Sequence, residues 1–448
     1  MSHIWTYDVA IIGVGRVGLP LALCFKEQGL NVVAIDKNRK ILASLSDRKM
    51  PFSEPKCDDL LSSHGLDLVS DNYKHASKAK HIIITVGTPV LEHLEVDLSQ
   101  VIDVLRGISV HLQAGHNVVL RSTVGPSCMK RCLSFFNSSS PFTVGEQIGF
   151  SYCPERLAEG FACAEIYSLP QIVAAEDELS HELAHTLFQN LTSQIFHTSF
   201  SAGELAKVCS NSYRYLQFAF GNLVAVYSEQ LGCSAHEVIH LCNENYPRCN
   251  IALPGFCAGT CLRKDFAMLS ELTPQSDILL SAWKTNEGMP KFYVNTVLKT
   301  RQIRNSNVAV LGFAFKKDTD DSRDSLTPKL VRYIQKESPK SLNIQDPFLP
   351  ETLDGGFHNC SLETALKDAD MLFLACNHST YSKNLQEIYA TCKPECLVCD
   401  IWNICKMNKL IFTIAEAHKG STHANVGVQI PRKRVLVTGG AGFIGYFL

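Results

Sequence analysis

Tyr7-Asp-Val-Ala-Ile-Ile-Gly13-Val-Gly15-Arg16-Val17-Gly18-Leu-Pro-Leu-Ala-Leu-Cys-Phe-Lys-Glu-Gln-Gly29 is an apolar run that breaks at a glycine turn and resumes with helical spacing. The run before Gly13 reads as a buried strand, and Leu19 to Gly29 as a helix that stops at glycine. A strand entering a Gly-x-Gly-x-x-Gly turn and leaving as a helix lets the backbone approach a pyrophosphate, while N–H groups at the helix start bind the anion. Asn31-Val-Val-Ala-Ile-Asp36 is the next strand, and its final carboxylate falls about 20 residues beyond the turn, placed to accept from ribose hydroxyls and to repel a 2′-phosphate. The pattern therefore favours NAD, with Lys37 and Arg39 as the residues on which an NADP reading would rest. Gly13, Gly15, Arg16, Val17, Gly18 and Asp36 are the candidate cofactor contacts, joined by Thr88 and Thr123 farther along. The competing reading is a glycine turn that only packs helix on strand.

Outward from this unit, His81–Val86, Asn117–Leu120 and Gly149–Cys153 are further strand candidates separated by helix-length segments, the alternation of a parallel α/β sheet. This defines a dinucleotide-binding domain over residues 1–200. From Glu204 to Gly232 apolar residues recur at helical spacing through Leu205, Val208, Leu216, Phe220, Leu223 and Tyr227, with Gly221 as the internal breaker. One long helix and a shorter helical region to about Glu287 make a linking domain, 201–300, and a natural surface for pairing two subunits. A second α/β series runs through Asn307–Gly312, Leu342–Asp346, Met371–Cys376 and Cys396–Asp400, giving a third domain over 301–418. The expected fold is two doubly wound, Rossmann-like domains joined by a helical domain with a long central helix. After a linker, 419–433, the segment 434–448 opens another strand and glycine turn, Thr438-Gly-Gly-Ala-Gly-Phe-Ile-Gly445, similar to the start of a short-chain dehydrogenase or nucleotide-sugar epimerase. It reads as a truncated fusion.

Composition narrows the partners. Lys and Arg number 42 against 44 Asp and Glu, so a net charge of −2 gives no general field for nucleic acid or an anionic membrane, and phosphate binding must be local. The 18 cysteines are scattered through apolar segments and read as reduced thiols in a cytoplasmic protein. The apolar run from Val9 to Leu23 is interrupted by glycines and Arg16, unlike a signal sequence, and no stretch is long enough to span a bilayer. Cys392, Cys396, Cys399 and Cys405 raise the thought of zinc, but Cys396 and Cys399 fall three apart on a strand and face opposite ways, so no metal is expected.

Pro254-Gly255-Phe-Cys-Ala-Gly-Thr-Cys261-Leu-Arg-Lys-Asp265 places a thiol after a glycine turn at a helix start, where a thiolate is favoured. Cys261 and Asp265 are then i and i+4, a nucleophile beside a carboxylate. Lys207 and Asn211 are also four apart, on the long helix. They could line a solvated face or point together into a cleft as oxyanion donors. Arg121-Ser-Thr123-Val-Gly-Pro126 and Cys153-Pro-Glu155-Arg156-Leu157-Ala-Glu-Gly160 each follow an apolar strand, where α/β enzymes place ligand-facing loops.

With Gly312-Phe-Ala-Phe-Lys-Lys-Asp-Thr-Asp-Asp-Ser-Arg323, these motifs make a set, and over residues 7 to 410 the chain resembles the UDP-glucose/GDP-mannose dehydrogenase family. The resemblance implies a four-electron oxidation of a sugar C6 alcohol by NAD, with Cys261 carrying the aldehyde as a thiohemiacetal and then a thioester. It implies that Lys207 and Asn211 hold the alkoxide, that Asp265 orients or activates water with Thr123, and that Glu155 is the general acid/base of hydrolysis. It places Glu155, Arg156, Leu157, Lys207, Asn211, Gly255, Lys316 and Arg323 at the sugar nucleotide. Arg248 and Asn250 in Pro247-Arg-Cys-Asn250, together with Leu169-Pro-Gln-Ile-Val173, resemble the branch acting on UDP-N-acetylmannosamine or UDP-N-acetylglucosamine. UDP-glucose ranks next, then GDP-mannose. Two other classes stand beside these, a single-step hydroxy-acid dehydrogenase and a non-catalytic sugar-nucleotide binder. Ala258 stands where the family usually has glycine, and a positive φ there would strain the turn by about 1 kcal/mol.

Overall fold

In the computed structural model, which describes residues 5–89, 91, 96–270, 272 and 276–420, the opening apolar run becomes β1, Tyr7–Ile12. Around it lie β2 (Val32–Ile35), β3 (Leu68–Ser70), β4 (Ala79–Ile84), β5 (Asn117–Leu120), β6 (Gly149–Tyr152), β7 (Gln171–Ala174) and β8 (Ile195–Thr198), in the sheet order β3-β2-β1-β4-β5-β6-β7-β8. All neighbours are parallel except β6 and β7. Val9 pairs with Val32 and Ile12 with Ile84. Both faces are covered, which is why β1 is apolar without alternation: Ala10 and Ile12 enter one core cluster, Val9 and Ile11 the other. Strand order reverses between β1 and β4, so a crevice opens at their carboxyl ends, beyond Gly13. β4 starts and ends two residues before its expected bounds, because a 3₁₀ turn, Tyr73–Lys78, feeds it directly.

The long helix runs from Phe200 to Leu231, four residues earlier than its apolar periodicity indicates. Ser199 caps it by accepting from the Ala202 N–H, and Glu176 accepts from the Phe200 N–H at 3.0 Å, so polar caps start the helix ahead of its apolar periodicity. Gly232, at φ +70°, ends it. Gly221, in mid-helix, is where the chain at Ala252 crosses: a Cβ there would sit 2.2 Å from the Ala252 carbonyl oxygen. The following helical region does not stop near Glu287. After the helices Ala235–Asn243 and Thr260–Ser270, its last helix runs from Asp277 to Thr300, passing through Pro290. A proline inside a helix costs about 3 kcal/mol, and here buried Met289, Tyr293, Val294 and Val297 offset it by packing into the core of the third domain.

That domain has β9 (Asn307–Leu311), β10 (Ser341–Gln345), β11 (Met371–Leu374), β12 (Leu397–Asp400) and β13 (Ile411–Thr413), ordered β10-β9-β11-β12-β13, with β13 the antiparallel strand among those described in this sheet. Its second switch point, between β9 and β11, faces the first domain across the cleft described below. Cys399 packs on one side of this sheet while Cys392 and Cys396 pack on the other. Among the described residues no three His, Cys, Asp or Glu side chains form a metal-ligand set, and no helix is long and apolar enough to cross a membrane. The epimerase-like segment, 434–448, and nearly all of the 419–433 linker lie outside the described residues.

Candidate active site

Gly13 takes φ +97°, and a Cβ on Gly18 would lie 2.0 Å from the Gly13 carbonyl oxygen, so close approach of turn and helix requires both glycines. Val17 is the residue immediately before the helix. The two oxygens of Asp36 accept from the Val14 and Asn38 N–H groups, each at 2.8 Å, which fixes the carboxylate at the end of β2. Gly13, Gly15, Asp36, Lys37, Tyr73 and Gln100 line a cleft of about 280 Å³. A backbone cradle that a Cβ would fill, beside a fixed carboxylate, fits a dinucleotide with free ribose hydroxyls. Lys37 is held 5.5 Å over the Tyr73 ring. Arg16 also reaches across to the third domain, where its Nη2 donates to Asp320 at 2.7 Å.

The helix Thr260–Ser270 packs on the long helix and sets Cys261 and Asp265 one turn apart. Asp265 is completely buried, and its Oδ2 accepts from Asn211 Nδ2 at 2.6 Å with Lys207 Nζ at 3.8 Å. Lys207 and Asn211 are therefore buried cleft residues, not a solvated face. Asp265 Oδ1 is buried without a hydrogen-bond partner in the described structure, an acceptor held at the base of the site. Burial pushes the Asp265 carboxyl up, opposed by Lys207, Lys264 and the Asn211 bond. Lys264, three residues from Cys261, is pushed down by burial against the pull of Asp265. Its Nζ donates to Thr88 Oγ1 at 3.1 Å, and Thr88 in turn donates to the Thr123 carbonyl at 2.6 Å. Thr88 and Thr123 thus join the cofactor side to the Cys261 helix, through the Thr123 backbone rather than its hydroxyl.

Glu155, Leu157, Lys207, Asn211, Cys261 and Lys316 line one cleft of about 320 Å³. Cys261 opens onto this cleft at its floor, and the surrounding protein pushes its thiol up, with Lys207 pulling it back and Asp265 and Glu155 adding to the rise. This differs from the expectation of a thiol lowered by the helix start: desolvation outweighs the Lys207 ammonium. The turn before it is also less strained than expected, because the positive φ values belong to Gly255 (+154°) and Gly259 (+98°), and Ala258 has none. Gly255 shapes the wall, since a Cβ there would strike the Trp402 ring at 2.5 Å.

Arg156, Arg323, Arg248 and Asn250 do not line this cleft, whereas Lys316 does. Arg156 donates to the Pro170 carbonyl, and Gln171 accepts from Arg121 at 2.8 Å, so these groups anchor β7. Arg323 grips Asp321 at 2.6 Å and reaches Glu159 at 4.0 Å, while Lys316 donates to the Glu159 carbonyl at 2.6 Å. Arg248 stacks on Tyr246, 4.9 Å from its centroid, and neither it nor Asn250 lines the cleft of its own chain.

The cleft also contains Glu159, Arg214, Lys317, Asn377 and Trp402, which the motif reading passed over. Arg214 is three residues beyond Asn211 on the same helix face, and Asn377 and Trp402 follow β11 and β12, so helix periodicity and the strand-end rule carried signals for them. Burial next to Asp321 raises Glu159 to about 7, against the pull of Arg16, Arg323 and Lys316.

Comparison with known proteins matches this arrangement. Residues 7–192 match the NAD binding domain of the UDP-glucose/GDP-mannose dehydrogenase family, 201–289 its central domain and 309–407 its UDP binding domain. The UDP-N-acetyl-D-mannosamine dehydrogenase of Pyrococcus horikoshii is 28% identical over 384 residues, covering 83% of this chain and 90% of the relative. A protein of the same name from Campylobacter jejuni is 29% identical over 394 residues, covering 83% and 96%. The solved Pyrococcus horikoshii structure superposes with a TM-score of 0.79 at 27% identity, over 86% of this chain and 93% of that one. The chain belongs to the UDP-glucose/GDP-mannose dehydrogenase family and is an NAD-dependent nucleotide-sugar dehydrogenase.

Proposed function

We propose that this enzyme oxidises the C6 alcohol of UDP-N-acetylmannosamine, or its epimer UDP-N-acetylglucosamine, to the uronic acid through a thioester on Cys261. The observation that carries the chemistry is that Cys261, Lys207 and Asn211 line one cleft, with Asp265 buried behind it against Asn211 and Lys207. NAD, when bound, takes up the hydride removed from C6 in each of two successive oxidations, the spent cofactor being exchanged between them. Lys207 and Asn211 stabilise the alkoxide, where one such donor contributes about 2.7–4 kcal/mol. Cys261 Sγ adds to the aldehyde carbon, the thiol proton passing to the carbonyl oxygen to give a thiohemiacetal. Loss of the second hydride and of the hydroxyl proton leaves a thioester. Water then adds to the thioester carbon, the C–S bond breaks, and the carboxylate and free thiol are released with one proton. Asp265, with its unpartnered Oδ1, and Glu155, on the cleft wall, are the groups available to hold and move the proton of that water.

The substrate reading is supported by the names of the relatives at 28–29% identity. In the same reading the enzyme is a cytoplasmic homodimer or higher homo-oligomer. Exposed Tyr213, Phe220 and Tyr227 repeat every seven residues along the long helix and give a second copy an apolar face to pack on. The test is the NADH yield from UDP-N-acetylmannosamine, UDP-N-acetylglucosamine, UDP-glucose and GDP-mannose. Two NADH per N-acetylated sugar are expected; a single NADH, or a preference for UDP-glucose, overturns the mechanism or the substrate respectively.

A further inference from the structure

Arg16 belongs to the glycine loop, yet its guanidinium is held by the third domain. Nη2 donates to Asp320 Oδ1 at 2.7 Å, Nε lies 3.6 Å from Asp321 Oδ2, and the group sits 5.1 Å over the Phe52 ring. The second oxygen of Asp320 accepts from the Ser53 N–H at 3.0 Å. One carboxylate thereby gathers two separate segments of the NAD domain. Asp320 lies in the loop after β9 that also carries Lys316 and Arg323, and Asp321 beside it is gripped by Arg323 and hands its own carbonyl to the Phe315 N–H at 2.9 Å. The Arg16 and Asp320 side chains are only 18% and 24% exposed, so the contact is more shielded than an ordinary surface pair. A guanidinium has five N–H donors, and the clasp engages Nη2 and Nε, which leaves Nη1 for a phosphate in the same pose.

We propose that Asp320 is a positioning residue that couples the two ligand sites. Cofactor phosphates settle the glycine loop and Arg16; a uridine nucleotide settles the loop bearing Lys316. Asp320 ties one loop to the other, so each ligand favours the clasped arrangement and is bound more tightly when the other is present. In a reaction that exchanges cofactor while the sugar stays bound, this coupling retains the second NAD against a loaded substrate domain. The inference rests on the NAD site and on the uridine-nucleotide part of the proposed function, and not on the identity of the sugar or on Cys261.

The experiment is calorimetric titration of the full chain with NAD, alone and with saturating UDP, repeated for Asp320→Asn and Asp320→Glu. In the unaltered protein UDP should tighten NAD about fivefold or more, and NAD should tighten UDP by the same factor. Asp320→Asn, of nearly equal shape, should reduce that factor below twofold, and Asp320→Glu should restore part of it. A general structural defect would instead weaken both ligands and leave their ratio unchanged. UDP that binds without altering NAD affinity, or full coupling in folded Asp320→Asn, overturns the clasp alone. Failure of UDP to bind at all overturns the uridine-nucleotide reading and the clasp with it.

Discussion

Replacing Lys207 with Met keeps most of the stem and removes the ammonium 3.8 Å from Asp265 Oδ2, in a pair whose side chains are 4% and 1% exposed. At an effective dielectric of 20 that separation corresponds to about 4 kcal/mol of attraction, within the range of about 3–5 kcal/mol for breaking a buried pair. The loss is limited because Asp265 can take up a proton. Its folded pKa already lies above the ordinary 3.8 through burial, and without Lys207 it rises further. A carboxyl raised in the folded state contributes stability that is complete below its unfolded pKa and is lost as pH rises through the folded value. The stability deficit of Lys207→Met should therefore grow as pH rises from the folded value of Asp265 in the parent to its higher value in the variant, by at most about 1.4 kcal/mol per pH unit. Urea unfolding across that range reads the deficit, and NADH formation at pH 8 should fall about 10²–10³-fold from loss of an oxyanion donor. A deficit that is flat or shrinks toward high pH, with turnover within tenfold of the parent, would refute both the pairing and the role.

Other consequences are more local. Gly18→Ala forces a Cβ against the Gly13 carbonyl, so NAD should no longer raise the melting temperature while the protein stays folded; an undiminished NAD-dependent rise would show that the turn can relax. Glu159, raised to about 7 from 4.5, contributes stability below about pH 4.5 that fades as pH climbs through 7, so Glu159→Gln should flatten the unfolding free energy over that window. An unchanged slope would assign the pH dependence elsewhere. Gly221→Ala drives a methyl into the Ala252 carbonyl and should cost about 1–3 kcal/mol in urea unfolding; a neutral effect would mean that the crossing segment moves aside freely.

Most strands buried on both faces were readable as uninterrupted apolar runs, which is why β1, β2 and β5 stood out, but β7, Gln171–Ala174, is equally buried and was missed, with polar Gln171 leaving only three apolar residues in it. β3 and β8 did not stand out either: Leu68–Ser70 and Ile195–Thr198 lie at the two edges of the sheet, are partly exposed, and carry no apolar run to mark them. The Asp277–Thr300 helix defied its proline because burial in another domain's core, invisible to local pattern, outweighs a missing N–H. At the site, the i, i+4 pairs on two helices announced Cys261 with Asp265 and Lys207 with Asn211. Their convergence on one carboxylate depends on how those helices pack. The direction of the Cys261 shift depends on that packing too, since the helix start is a local feature and desolvation is not. The cluster of Arg16, Glu159, Asp320 and Asp321 draws on three distant stretches of chain, and no spacing rule links them.

The central claim is that one thiol holds the half-oxidised sugar between two hydride removals. Rapid quenching of the enzyme turning over its preferred UDP-sugar, followed by peptide mass analysis, should find a uronyl adduct on Cys261, with more accumulating in Glu155→Gln, where hydrolysis is impaired. No adduct in either protein, together with two NADH per sugar from Cys261→Ala, would contradict it.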